Sequence, residues 1–154
     1  MRVVRVLNSR EFEVDGELSI GEFVKVGKEL AVVVEVYCED PEIVKYMSKF
    51  DLDEIKEFLP DLAEPKNYAR CFLLSEGRVS IGEKVELAED EEIKKVHWKD
   101  DDLYMPYIPE LVSKYPKVAI DVIKKLESLF PEEKDVLRII KAGLEFSRIR
   151  RVDV

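Results

Sequence analysis

The chain has 154 residues, 46% of them hydrophobic and 38% charged, and a formal net charge of −9. That length suits one domain, or a compact domain with an appendage, able to bury a core without disulfide or metal, and the composition excludes intrinsic disorder. The negative charge opposes general binding to nucleic-acid phosphate, and no apolar stretch approaches the ~18 residues that span a membrane.

Met1–Leu7 alternates arginine with valine where a secretion signal would be apolar, so a cytoplasmic protein is expected. Cys38 and Cys71 each adjoin an apolar run and read as reduced core residues. The absence of Gln and Thr beside abundant Glu and Lys suits a thermophilic source.

In chain order, Val3, Val4 and Val6 open an apolar run that stops at Asn8-Ser9. Glu11-Phe12-Glu13-Val14 alternates polar with apolar, and Asp15-Gly16 is a strong hairpin signal. Leu18 and Ile20 continue the alternation, Phe23–Val26 reads as a further strand, and Leu30–Tyr37 is β-branched enough to be buried on both faces. These short strands predict a small antiparallel β-barrel. Asp40-Pro41-Glu42 then has the chemistry of a helix start, and residues 40–65 are expected to form a helical excursion inserted between barrel strands.

Strands resume over Tyr68–Leu74 and pass through Gly77 to Ala88. Residues 89–109 are expected to be acidic and irregular. Val118, Ala119, Val122, Ile123, Leu126, Leu129 and Phe130 mark one amphipathic helix, stopped by Pro131; Val136, Leu137, Ile140, Leu144 and Phe146 mark another. Arg148–Val154 is expected to add a short terminal strand. The predicted fold is α+β: a barrel domain over residues 1–100 and a C-terminal helical region over 101–154 that forms a hairpin docked on it.

An internal repeat supports this architecture. Residues 16–26, GELSIGEFVKV, and 77–87, GRVSIGEKVEL, are identical at six of eleven positions. Each copy predicts a strand, a tight turn at Gly21 or Gly82, and a second strand, because glycine adopts positive φ at little cost.

No catalytic pattern is comparably strong. His97 is the chain's single histidine, followed by Trp98 and by Asp100, Asp101 and Asp102. One imidazole with carboxylates can hold a cation, but without a second nitrogen or sulfur ligand a solvated acidic loop is the expected state. A thiol–imidazole pair of Cys38 or Cys71 with His97 has no local signature. Glu22 and Glu83, equivalent in the repeat, are expected to be exposed turn residues and not a catalytic carboxylate pair. No catalytic residue, cofactor or metal is assigned.

Two segments stand out as possible contact surfaces. Tyr104, Met105, Tyr107 and Ile108 interleave aromatic and aliphatic residues with proline, a composition found at protein interfaces; a linker packed across the barrel is the alternative. Arg148, Arg150 and Arg151 are the only dense basic cluster and the possible contact to nucleic acid, or the partners of the chain's own acids.

The order of strands, insertion, Tyr68-Ala69-Arg70-Cys71-Phe72-Leu73-Leu74 and Ile81–Ile93 resembles the HAS-barrel over about residues 1–95. That barrel stands at the N-terminus of HerA-type DNA-translocating ATPases and in subunits of rotary ATP synthases. In the translocases an ATPase domain with a G-x-x-x-x-G-K-[ST] loop follows the barrel. The nearest approach here, Gly21 to Gly27-Lys28-Glu29, spaces its glycines one residue too far and puts Glu in place of the metal-binding hydroxyl. The resemblance therefore implies a barrel without its motor: a non-enzymatic interaction or assembly module for a larger ATPase or nuclease partner, itself able to be a homo-oligomer. The alternative is a small-barrel protein that contacts nucleic acid through its C-terminal arginines, and a third reading is an enzyme using carboxylates or a metal.

Overall fold

A computed structural model describes residues 1–39 and 66–152, with side chains described as far as residue 146. The expected helical excursion at 40–65 lies outside the described residues. Six strands form one antiparallel sheet: β1 (Val3–Val6), β2 (Glu11–Asp15), β3 (Phe23–Val26), β4 (Glu29–Glu39), β5 (Lys66–Leu73) and β6 (Val85–Leu87), in the order β1-β2-β5-β4-β3-β6. Four helices follow: α1 (Asp90–Val96), α2 (Ile108–Lys114), α3 (Pro116–Leu129) and α4 (Lys134–Val152). A two-stranded hairpin, β7 (Trp98–Lys99) and β8 (Asp102–Leu103), separates α1 from α2, and a 3-10 turn at Pro131–Glu133 joins α3 to α4. The fold is thus α+β, with a curled sheet and a helical layer.

The edge strands of the sheet touch. Arg2 and Lys84 form an isolated antiparallel bridge. Around it Val3 N–H donates to the Glu83 carbonyl at 3.0 Å, Gly82 N–H to Val3 at 2.8 Å and Val85 N–H to Met1 at 2.9 Å. A continuous β1–β6 ladder, which a closed barrel requires, is not among the described pairings.

The repeat explains this corner. Gly21 (φ 92°) and Gly82 (φ 90°) occupy the same place in two like turns, in which Glu22 N–H donates to Ser19 and Glu83 N–H to Ser80. That is position i+2 of a type II turn, where a side chain is strained. In the first copy Gly21 N–H donates to Val33 O and Val33 N–H to Glu22 O; in the second, Val3 makes the same exchange with Gly82 and Glu83. Val3 and Val33 are therefore equivalent, and each starts a Val-Val-charged-Val run with a bulge in the same place, between Val3 and Arg5 and between Val33 and Glu35. The central pairing maps onto itself: Phe12 faces Cys71 as Ala69 faces Val14. The sheet is a duplicated three-strand unit related by an approximate two-fold.

Gly82 has nothing within 4 Å of where a Cβ would stand, and Gly21 only Asp121 Oδ2 at 3.8 Å. Alanine at either position therefore meets conformational strain and no clash. Gly21→Ala and Gly82→Ala are expected to cost about 1–2 kcal/mol each, and equally, in urea unfolding.

Strand alternation sorts the apolar residues into two cores. Val3, Phe12, Val14, Val24, Val26, Ala31, Val33, Ala69, Cys71, Leu73 and Val85 fill the inside of the curl, drawing on all six strands. Leu18 and Val79, equivalent in the repeat, pack against this cluster from the two loops. Leu18 and Ile20 were expected in a strand; they lie in a loop, because the chain must turn at Gly21 to enter β3.

The opposite face of the sheet offers Phe23, Leu30, Val32, Val34, Phe72 and Leu74 to the helices. Val118, Ala119, Val122, Ile123 and Leu126 of α3 complete that second core, with Ile93, Leu111 and Leu137 from the other helices. The expected helical hairpin is α3 and α4. Two expectations fail in this region. Residues 89–109 are not irregular: α1 begins with a capping box in which Glu92 accepts from Glu89 N–H at 3.2 Å, and its Ile93 enters the core. In place of the terminal strand expected at 148–154, residues 148–152 continue α4.

Candidate interaction surfaces

His97 caps α1 and is fully buried. Its Nδ1 lies 2.8 Å from the Ile93 carbonyl, an acceptor, so Nδ1 carries the proton; Nε2 then accepts from the Tyr107 hydroxyl at 2.5 Å. Burial lowers the imidazole pKa and outweighs the opposing bond to Ile93. The expected solvated His97 loop is thereby corrected: the histidine is a neutral strut, while Trp98, Lys99 and the three aspartates are exposed. Asp100 (φ 54°) and Asp101 (φ 60°) supply the two left-handed residues of the β7–β8 turn, a conformation that aspartate tolerates. Among the described residues no group of three or more His, Cys, Asp or Glu is placed to hold a metal ion.

The other candidate chemistry is dispersed in the same way. Cys71 lies inside the curled sheet, where burial pushes its thiol up to about 12, away from the thiolate a nucleophile needs. Glu22 and Glu83 precede β3 and β6, which are antiparallel neighbours, so the two acids stand at opposite ends of the sheet. The stretch Gly21–Lys28 is a turn, strand β3 and a hairpin at Gly27 (φ 60°), not a loop entering a helix.

Tyr104, Met105, Tyr107 and Ile108 are brought together, but mostly inward. Tyr107 is 1% exposed and belongs to the second core, so it is no surface residue; its ring carries the hydroxyl that His97 needs. Met105 and Ile108 are half-buried against that core. Tyr104 alone faces outward, donating to Glu76 with Lys99 Nζ 4.8 Å from its ring centre. The segment leads into α2.

A polar cluster lies under α2 that sequence reasoning missed. Glu11 is 6% exposed on the outer face of β2. Its carboxylate accepts from the Tyr115 hydroxyl, from Asn8 Nδ2 at 2.9 Å and from Lys114 Nζ at 3.2 Å. Burial raises its pKa, but the bonds from Tyr115, Asn8 and Lys114 together hold it below the ordinary carboxylate value. Its acceptor sites are engaged, so it pins α2 to the sheet and is not a base awaiting a substrate. Beside it Arg70 lies 3.9 Å from Glu13 and 3.6 Å from Glu35. The alternation Glu-Phe-Glu-Val reads as a strand with one solvated face; the signal to the contrary was the Lys114-Tyr115 pair far along the chain.

Several large apolar side chains also remain exposed. On α4, Leu137 is buried and Ile140 and Leu144 pack inward, while Val136 (49%), Ile139 (73%) and Phe146 (65%) stand in solvent. Val136 and Phe146 were expected on the buried stripe; they fall on another face of the helix. Nearby, Trp98 stacks on Phe130 at 5.6 Å, at the floor of an open cavity edged by Lys94, Lys95, Glu132 and Glu133. Ile20 and Ile81, equivalent in the two turns, are both exposed. Arg148, Arg150 and Arg151 lie on the last turns of α4. No helix among the described residues is long and apolar enough to cross a membrane. No family model matches the chain, and no curated protein matches it.

Proposed function

We propose that the chain is a non-enzymatic interaction or assembly module whose sheet closes as a small barrel of the HAS type, acting with a larger ATPase or nuclease. The observation that carries this reading is the contrast between its polar and apolar groups. Among the described residues the buried charged or polar side chains His97, Glu11 and Glu13 are each tied to internal partners, whereas large apolar side chains are held outward on a helix and at two equivalent turns. Catalysis needs a polar group left available in a cleft; assembly needs apolar surface left available outside. The two edge strands already meeting at Arg2 and Lys84 agree with a barrel.

Nucleic-acid binding through Arg148, Arg150 and Arg151 has no comparable support, because the formal net charge of −9 opposes phosphate. Affinity capture of the full chain from its native cells, with mass spectrometry of what is retained, tests the proposal. Recovery of an ATPase or nuclease in near-equal amount is the expected result. Recovery of neither, at both low and physiological salt, overturns it.

A further inference from the structure

The exposed residues of α4 carry a pattern of their own. Val136, Ile139, Gly143 and Phe146 are spaced three or four residues apart in alternation, with Glu132 in the 3-10 turn just before the helix and Arg150 four residues after Phe146. That is the three-four spacing by which the seam of a two-helix coiled coil is built. Leu137, Ile140 and Leu144 already serve α3 and the core, so the seam is a second apolar face without a partner among the described residues. Gly143 sits in the middle of it, with nothing within 4 Å of a Cβ position, in a helix interior where glycine is unfavourable by about 1 kcal/mol.

We infer that this face pairs antiparallel with the same face of a second copy, about a two-fold axis at position 141. In that register Phe146 of one copy meets Val136 of the other, and Ile139 meets the space left by Gly143. Glu132 meets Arg150, opposite in formal charge. The parallel alternative sets Phe146 against Phe146, Gly143 against Gly143, and each end charge against its like. Size and charge thus select one orientation, and an isologous contact closes at two copies. One helix pair buries less than the about 800 Å² per partner of standard interfaces, so micromolar affinity is expected.

This inference goes beyond the assembly reading and stands or falls separately from it. Sedimentation equilibrium of the full chain at low salt and about 100 µM should give a dimer. Ile139→Asp should give a monomer with unchanged far-UV circular dichroism, since residue 139 touches no core. Glu132→Arg and Arg150→Glu should each weaken the dimer about tenfold, through two reversed end pairs. Mixing those two variants in equal amounts should restore wild-type affinity, because only the mixed dimer matches charges at both ends; the weakening of each variant alone identifies the antiparallel register, since a parallel wild type already sets like charges together. A monomeric wild type, a dimer indifferent to Ile139→Asp, or a mixture no tighter than its components each overturns the inference. A wild type that is monomeric yet retains an ATPase or nuclease removes the dimer and leaves the assembly reading; a dimer that retains neither does the reverse.

Discussion

Leu126→Ala is expected to lower the free energy of unfolding by about 3 kcal/mol, and Leu126→Asp to detach the helical layer from the sheet. Leu126 is fully buried in α3, in the core that α3 shares with Leu30, Val32, Phe72 and Leu74 on the outer sheet face. Truncation leaves a cavity among residues from two layers, and close packing on both sides limits how far it can collapse. Aspartate adds the cost of a charge with no partner in an apolar core. The inner core of the curled sheet is a separate cluster with no helix residue among the described residues, so it should outlast the helices in the aspartate variant. Trp98, the chain's single tryptophan, stacks on Phe130 at the end of α3 and reports the helical layer directly. In the alanine variant its fluorescence and the far-UV circular dichroism should change together in urea. A loss below about 1 kcal/mol would mean that α3 is not packed as described.

Tyr107→Phe is expected to cost about 1–3 kcal/mol although it removes one oxygen and leaves no cavity. The loss comes from His97, whose Nε2 would remain buried without a donor. The same strut gives the protein a pH dependence of known sign. Burial lowers the folded-state pKa of His97 from its ordinary 6.5. Below that value the unfolded chain binds a proton that the folded chain does not, so the contribution is intact above about pH 6.5 and is lost as pH falls toward the folded pKa, by at most about 1.4 kcal/mol per pH unit. His97 is the single histidine, and Glu11, with its pKa held low, titrates further down. Denaturant unfolding at pH 7 and pH 5 should therefore show a step that His97→Asn abolishes. A step of the same size in that variant would assign it elsewhere.

The strands were legible where local chemistry and long-range packing agree. Gly21 and Gly27 mark turns, and Leu30–Val34 of β4 is buried on both faces, without knowledge of their partners; the hairpin expected at Asp15-Gly16 does not form, because β2 leads into a loop and is no neighbour of β3. The duplication was half legible: the Ser-Ile-Gly-Glu copies are plain, but their counterpart, Val-Val-Arg-Val at 3–6 and Val-Val-Glu-Val at 33–36, is too short to notice until the equivalent bulges align it. Residues 89–109 were misread because charge density suggested solvent, whereas Ile93, His97 and Tyr107 are the few residues there that face inward. The two faces of α4 were merged into one because Val136 with Leu137, and Leu144 with Phe146, are both hydrophobic neighbours in sequence. Which of them the core accepts is settled by α3, not by α4 itself.

The central claim is that the helical layer is docked on the curled sheet in the free protein, so that the outer face of α4 is a preformed surface. Hydrogen exchange of the wild-type chain, without any partner, tests it most directly. Amides of α3 and of α4 through residue 146 should be protected to a degree comparable with β4 and β5. Exchange of residues 116–146 at the rate of an unfolded peptide, while the sheet stays protected, would show a helical segment that is not docked and would contradict the account.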